Sequence, residues 1–251
     1  MFGLKRFDNF TKKVSKNGLI SKNKFRDNNY ITGFCLKADI KHYFEEVDHF
    51  TLLNIIQRKM TDKEVIRLIK EILNNNAFNS GGGESKKGMP LGNLTSQFFA
   101  NVYLNELDYF VKHKLKAKYY IRYVDDFVIL NNSKRQLEIW KEKIDLFLKE
   151  KLKIELHHQK SRIIPLSRGI DFVGFRNFYL YKLVRKRNIR KMQRKINEWT
   201  SNKISYQELM ESYQGWQAYV MWENSFNLRK RILKEIHKVR EKKISISKYL
   251  N

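Results

Sequence analysis

The chain has 251 residues, 42% hydrophobic and 14% aromatic, which is the composition of a folded domain rather than a disordered tail. Its 51 Lys and Arg stand against 26 Asp and Glu, a formal net charge of +25 that calls for a polyanionic partner, either nucleic acid or an acidic membrane face. The single cysteine, Cys35, excludes a disulfide scaffold and a cysteine-based zinc cluster; no apolar run is long enough to span a bilayer, and MFGLKRFDNF lacks the apolar stretch of a secretory signal. A soluble, cytoplasmic protein that handles nucleic acid, with no membrane role, is the expectation. The charge is uneven. Residues 181–251 carry 18 basic and 6 acidic side chains, against 33 and 20 in residues 1–180, so a boundary is expected near Tyr181.

In chain order, FDNFTKKVSKNG reads as a helix stopping at Gly18. ITGFCLKADI is apolar and rich in β-favouring residues, a buried strand ending at Asp39. DHFTLLNIIQRKM reads as a helix, and a second from Asp62 to about Asn74 places Val65, Ile66, Ile69, Ile72 and Leu73 on one face. A Gly- and Asn-rich loop follows. TSQFFANVYLNELDYFVKHKLK then reads as a long helix with Thr95 or Ser96 as its N-cap. YYIRYVDDFVIL reads as two short strands joined at Asp125-Asp126, followed by a Lys- and Glu-rich helix from about Ser133 to Lys151. Strands are expected at LKIELHH and GIDFVGFRNFYL, and from Arg187 onward basic helix interrupted around Ser201–Ser205. This order predicts an α+β domain with helices on one face of an antiparallel sheet, plus an α-helical appendage.

Asp39 and the Asp125-Asp126 pair put carboxylates at the ends of core strands. Burying them is expensive unless cations neutralise them, and hard divalent ions with oxygen ligands suit that role. The same residues are also the composition of a polar hairpin turn and a helix cap, so neither position decides by itself. His157 and His158 lack partners at zinc-ligand spacing and read as surface residues, and GGGESKKGMP lacks the ending of a phosphate-binding P-loop.

Several strings in fixed order do decide. RYVDDFVIL resembles the tyrosine-x-aspartate-aspartate box of reverse transcriptases, with Tyr123, Val124, Asp125 and Asp126 in its four positions. Eighty-odd residues upstream, LKADIKHYFEEVDH resembles the family's other palm motif, Asp39 followed by the aromatic Phe44. KKGMPLGNLTSQFFANVYLNELD is similar to the loop-then-helix motif, LHHQKSR to the lysine-bearing motif at Lys160, and IDFVGF to the primer-gripping hairpin around Gly174. SYQGWQAYV with the basic helix after it is similar to the thumb, so the resemblance spans residues 4–240. Most reverse transcriptases carry glutamine before the loop glycine and serine-proline at its end. Leu91-Gly92-Asn93-Leu94-Thr95-Ser96-Gln97 instead resembles the enzymes of diversity-generating retroelements, which copy a template RNA with errors at adenines.

The resemblance implies a right-hand polymerase: residues 1–30 as a remnant of the fingers, 31–180 as the catalytic palm and 181–251 as a basic helical thumb. It implies two magnesium ions, with manganese as the alternative, held by Asp39, Asp125, Asp126 and the backbone carbonyl of Ile40. Phe44 reads either as the ring that excludes a 2′-hydroxyl beneath the nucleotide sugar or as a core aromatic beside Tyr43, and Leu91, Gly92 and Gln97 would lie against the incoming nucleotide. Lys160 reads either as the proton donor to leaving pyrophosphate or as a solvated lysine. Tyr123 reads as a residue beneath the primer or as a core aromatic. Gly174, Arg187, Arg190 and Arg194 would contact primer and template, with Arg187, Arg190 and Arg194 on a phosphate-binding helix. Template RNA, primer or cDNA, deoxynucleoside triphosphates and a small basic accessory protein are the implied partners. The alternatives are a group II intron, retron or phage-defence reverse transcriptase, against which the serine-glutamine ending speaks, or an inactive relic that binds RNA.

Overall fold

The computed structural model describes residues 2–15, 31–74, 86–89, 93–222 and 224–249. The chain divides into two compact units, residues 1–168 and 169–251. The division falls ahead of Tyr181 because the three strands between Ile170 and Val184 pair only with one another. Composition could not mark that point, since these strands are no more basic than what precedes them.

The first unit is built on a four-stranded antiparallel sheet in the order β2-β3-β1-β4, from β1 (Phe34–Asp39), β2 (Tyr120–Tyr123), β3 (Asp126–Asn131) and β4 (Arg162–Pro165). Its helices are α1 (Phe2–Val14), α2 (Tyr43–Glu46), α3 (His49–Gln57), α4 (Lys63–Asn74), α5 (Leu94–Tyr109) and α6 (Lys134–Leu152). Leu36 and Ala38 of β1 and Phe127 and Ile129 of β3 point into one core with Leu52, Ile69, Tyr103, Leu104, Ile144 and Leu148 from the helices. In α6 the buried residues Leu137, Ile144, Leu148 and Leu152 recur at helical spacing, so one stripe faces the sheet. Helix α1 contacts β2 and β3. Cys35, Val128 and Leu130, which alternate away from the helical core, are buried as well.

Sequence and structure differ at three places, and one expectation falls outside the described residues. The cap of α5 is Asn93, whose side chain accepts from the Thr95 N–H, and not Thr95 or Ser96. LKIELHH forms only an isolated bridge, Leu156 with Ile40, because the turn at His157–Ser161 interrupts it before β4 takes the place beside β1. Strands β4 and β7 gave no sequence signal; each is four residues or fewer. The first helix ends at Val14, and Gly18, the expected stop, lies outside the described residues.

The second unit carries a three-stranded sheet, β5 (Ile170–Phe172), β6 (Phe175–Asn177) and β7 (Lys182–Val184), and helices α7 (Lys186–Thr200), α8 (Tyr206–Val220) and α9 (Phe226–Tyr249). Met192, Ile196, Trp199, Leu209, Tyr213, Ile232 and Ile236 form its helical core. Ser205 and Glu208 close a reciprocal capping box that starts α8. Gly174 turns the β5–β6 hairpin at φ +85°, and the Tyr219 hydroxyl donates to its carbonyl at 3.0 Å. A Cβ there would sit 2.2 Å from that hydroxyl, so Gly174→Ala meets both a left-handed backbone and a blocked space. Thermal unfolding of Gly174→Ala is expected to show a loss of about 2 kcal/mol, the cost of a strained left-handed residue.

Candidate active site

The site follows from strand register. In the β1–β3 ladder Asp39 lies directly opposite Asp126, and β2 sets Tyr123 opposite Asp126 from the other side. Because side chains alternate, Lys37 and Asp39 of β1 share a face with Asp126 and Val128 of β3, opposite the face that enters the helical core. Toward one end of this second face the side chains are apolar and buried; toward the other the carboxylates reach solvent, with Asp39 18% and Asp126 29% exposed.

Asp125 lies in the tight turn between β2 and β3. The residue before it, Val124, is held at φ +58°, an unfavourable conformation for a β-branched side chain. Arg122 secures that turn from the core side. Its guanidinium binds Asp108 of α5 through Nε to Oδ1 at 2.8 Å and Nη2 to Oδ2 at 2.5 Å, while Nη1 donates to the Val124 carbonyl at 2.9 Å and to Asn101 Oδ1 at 3.2 Å. The Tyr120 hydroxyl donates to the same Asp108 at 2.6 Å. With only 10% of its side chain exposed, Arg122 is a planar fork satisfied on all sides. Sequence reasoning missed this residue. The available signal was an arginine at a core-facing position of an otherwise apolar strand.

Each outer carboxylate has a lysine. Lys37 Nζ grips Asp126 at 2.6 Å to Oδ1 and 2.7 Å to Oδ2, and Lys160 Nζ lies 2.9 Å from Asp39 Oδ2. The two cations differ in freedom, since the Lys160 side chain is 63% exposed and that of Lys37 only 19%. Lys160 is presented by the turn that interrupts the LKIELHH segment, where the N–H groups of Lys160 and Ser161 donate to the His157 carbonyl. The His157 N–H donates to the Asp39 carbonyl at 2.8 Å, which fixes the end of β1. Burial, and then the neighbouring charge of Asp39, push the Asp125 carboxyl above the usual carboxylate range, with Lys160 and Lys37 pulling the other way. Asp126 is also raised, first by burial, with Asp39 and Asp125 adding to it and Lys37 opposing.

A hard divalent cation fits this donor set, because it would relieve both the burial cost and the mutual repulsion. Magnesium takes one or two carboxylates plus substrate oxygens. Among the described residues no group of three or more His, Cys, Asp or Glu is assembled for a metal, and the carboxylate of Asp126 is bound to Lys37.

Of the other expected site residues, Ile40 is buried immediately after Asp39, and Phe44 is half-buried, its ring edge-on to Tyr43 at 5.5 Å between centroids. Tyr123 is 60% exposed, which excludes the core reading of that ring. Gln97 is exposed on the first turns of α5, whereas Leu91 and Gly92 lie outside the described residues. Gly174 and the arginines belong to the second unit. Arg187, Arg190 and Arg194 share the exposed face of α7, opposite buried Met192, Ile196 and Trp199, and make no ion pair with a described residue.

The raised Asp125 pKa has a stability consequence. A carboxyl whose folded pKa lies above its unfolded value penalises the fold once it ionises, and asparagine escapes that penalty. Without divalent ions, Asp125→Asn is therefore expected to melt about 2 °C higher than the parent at pH 7, the gain shrinking as pH falls through the raised pKa, read by thermal scans across pH.

Comparisons agree with this geometry. Residues 7–177 match the family described as reverse transcriptase (RNA-dependent DNA polymerase). The group II intron-encoded protein LtrA of Lactococcus lactis subsp. cremoris is 28% identical, over 56% of this chain and 34% of that protein. Protein YkfC of Escherichia coli (strain K12) is 25% identical, over 61% of this chain and 47% of that protein. The chain thus spans between a third and a half of these curated relatives. Apo telomerase from Candida tropicalis, truncated from its C-terminal domain, superposes with a TM-score of 0.52 at 18% identity, covering 72% of this chain and 39% of that one. Telomerase from Candida albicans in complex with a fragment of telomeric RNA gives 0.53 at 11% identity, covering 94% and 47%. These two likenesses concern the fold. The first unit has the mixed, antiparallel architecture of this group, and the match covers most of the chain: it belongs to the reverse transcriptase (RNA-dependent DNA polymerase) family.

Proposed function

We propose that the chain is the palm and thumb of an RNA-directed DNA polymerase that extends a primer on an RNA template. The observation that carries this reading is the meeting of Asp39 with the Asp125-Asp126 turn through the β1–β3 register, with Lys160 at its edge. Asp39, Asp125 and the carbonyl of Ile40 would hold the divalent ions, magnesium or manganese. Bound there, such ions lower the pKa of the primer hydroxyl and offset charge on the reacting phosphate.

The chain's own residues do the rest. The primer 3′-oxygen attacks the α-phosphorus of the incoming triphosphate, a P–O bond forms, and the bond to the β-phosphate breaks. Lys160, with its exposed ammonium beside Asp39, is placed to give its proton to departing pyrophosphate. Phe44 bars a 2′-hydroxyl by its bulk, and the exposed Tyr123 offers a flat surface to the primer strand. In the second unit, the Gly174 hairpin and the free face of α7 with Arg187, Arg190 and Arg194 suit a duplex backbone. Residues 31–168 act as palm and 169–251 as hairpin and thumb in this reading.

The loop sequence Leu91 to Gln97 supports placement in a diversity-generating retroelement, working with a small basic accessory protein and copying adenines with low fidelity. A group II intron origin is the second reading, favoured by the identity to LtrA. Template-primed extension with magnesium tests both. Asp125→Asn is expected to lower the rate by about 10²–10³-fold, the effect of losing one preorganised electrostatic group. Sequenced products are expected to carry errors concentrated opposite template adenine. Robust synthesis by Asp125→Asn would sink the polymerase assignment, and errors spread evenly over the four template bases would favour the intron reading.

A further inference from the structure

Lys37 lies within the LKADIKHYF string without a role of its own there, yet its ammonium makes two short polar contacts at the site. It sits one pleat before Asp39 on β1, and the register sets Val128 opposite it and Asp126 diagonally across. The sheet therefore forces Asp39 and Asp126, two like charges, into directly opposed positions, an arrangement that destabilises a ladder. Lys37 resolves the conflict from within the same face. Its ammonium meets both oxygens of Asp126, at 2.6 and 2.7 Å, and its side chain is only 19% exposed. A side chain so confined has little freedom to leave, unlike the solvent-facing Lys160 on Asp39.

We propose that Lys37 is a positioning residue: it fixes Asp126 as an internal counter-charge, so that metal binding falls to Asp39 and Asp125 while Asp126 is withheld. The second aspartate of the pair then serves the sheet, and the first, in the turn, serves the chemistry. Arginine at this position would keep the pairing, whereas an apolar chain of equal length would set an unpaired carboxylate against Asp39. The kinetic part of this inference rests on the polymerase reading; the ion-binding and unfolding parts do not.

The test uses the 251-residue chain with Lys37→Met, Lys37→Arg, Asp126→Asn, Asp125→Asn and the double variant Lys37→Met/Asp126→Asn. Manganese binding, followed by the electron paramagnetic resonance of the free ion without nucleic acid, is expected to weaken by about tenfold or more in Asp125→Asn. It should stay within about twofold of the parent in Asp126→Asn. Lys37→Met is expected to bind manganese severalfold tighter, because the released carboxylate joins the site, and the double variant returns to the parent value. In thermal unfolding without metal, Lys37→Met should lose stability that Asp126→Asn restores, while Lys37→Arg stays near the parent. In primer extension Lys37→Met should lower kcat by about tenfold with the KM for nucleotide little changed.

Loss of manganese in Asp126→Asn as severe as in Asp125→Asn would overturn the proposal. So would additive stability changes in the Lys37–Asp126 cycle, a result that stands whether or not manganese binding is measurable. Should Lys37→Met fail to fold, recovery of folding in the double variant supports the pairing, and failure of both variants while Asp126→Asn alone folds overturns it. A parent chain that extends no primer, with the ion-binding and unfolding results as expected, would retire the polymerase reading and leave Lys37 as the clamp on Asp126.

Discussion

The antiparallel pairing of β1 with β3 is the constraint on which the candidate site depends. A one-residue slip of β1 would carry Asp39 to the core face and bring Ala38 outward, separating Asp39 from Asp126. The hydrophobic cost of that exchange locks the register, and the locked register brings together acidic groups that repel one another. Packing therefore holds what electrostatics opposes. The lysines, the buried Arg122 fork and the turn at Val124 manage the resulting strain.

Much of this was legible in the residues. The strand ending at Asp39, the two strands around Asp125, the long α5 and α6 and the basic helical end stand where pattern puts them. Lys160 comes to Asp39, and Asp126 stands opposite Asp39 across the ladder. What stayed hidden depends on partners far away in sequence. Nothing near Arg122 announces Asp108, and nothing near Lys37 announces Asp126, 89 positions on. The cap of α5 was missed by a short step because Asn, Thr and Ser all stand at its start and all can cap. Strand β7, three residues long, lacks the length for any alternation to show.

The distribution of charge takes on meaning once placed on the fold. The chain carries an excess of +25, the first sheet gathers acidic side chains at one end, and α7 shows three exposed arginines to solvent. A broad positive charge favours polyanions, and clustered carboxylates favour hard cations.

Cys35 gives the sheet a reporter of its own. It is the only thiol in the chain, fully buried on the same face as Lys37 and Asp39, and burial holds its pKa well above the usual thiol range. Because the thiolate is the reactive form, the closed sheet is inert to alkylating reagents, and modification must wait until β1 parts from its neighbours. The rate at which a reagent consumes this sulfur thus clocks the opening of the strand that carries Asp39, without any label being introduced.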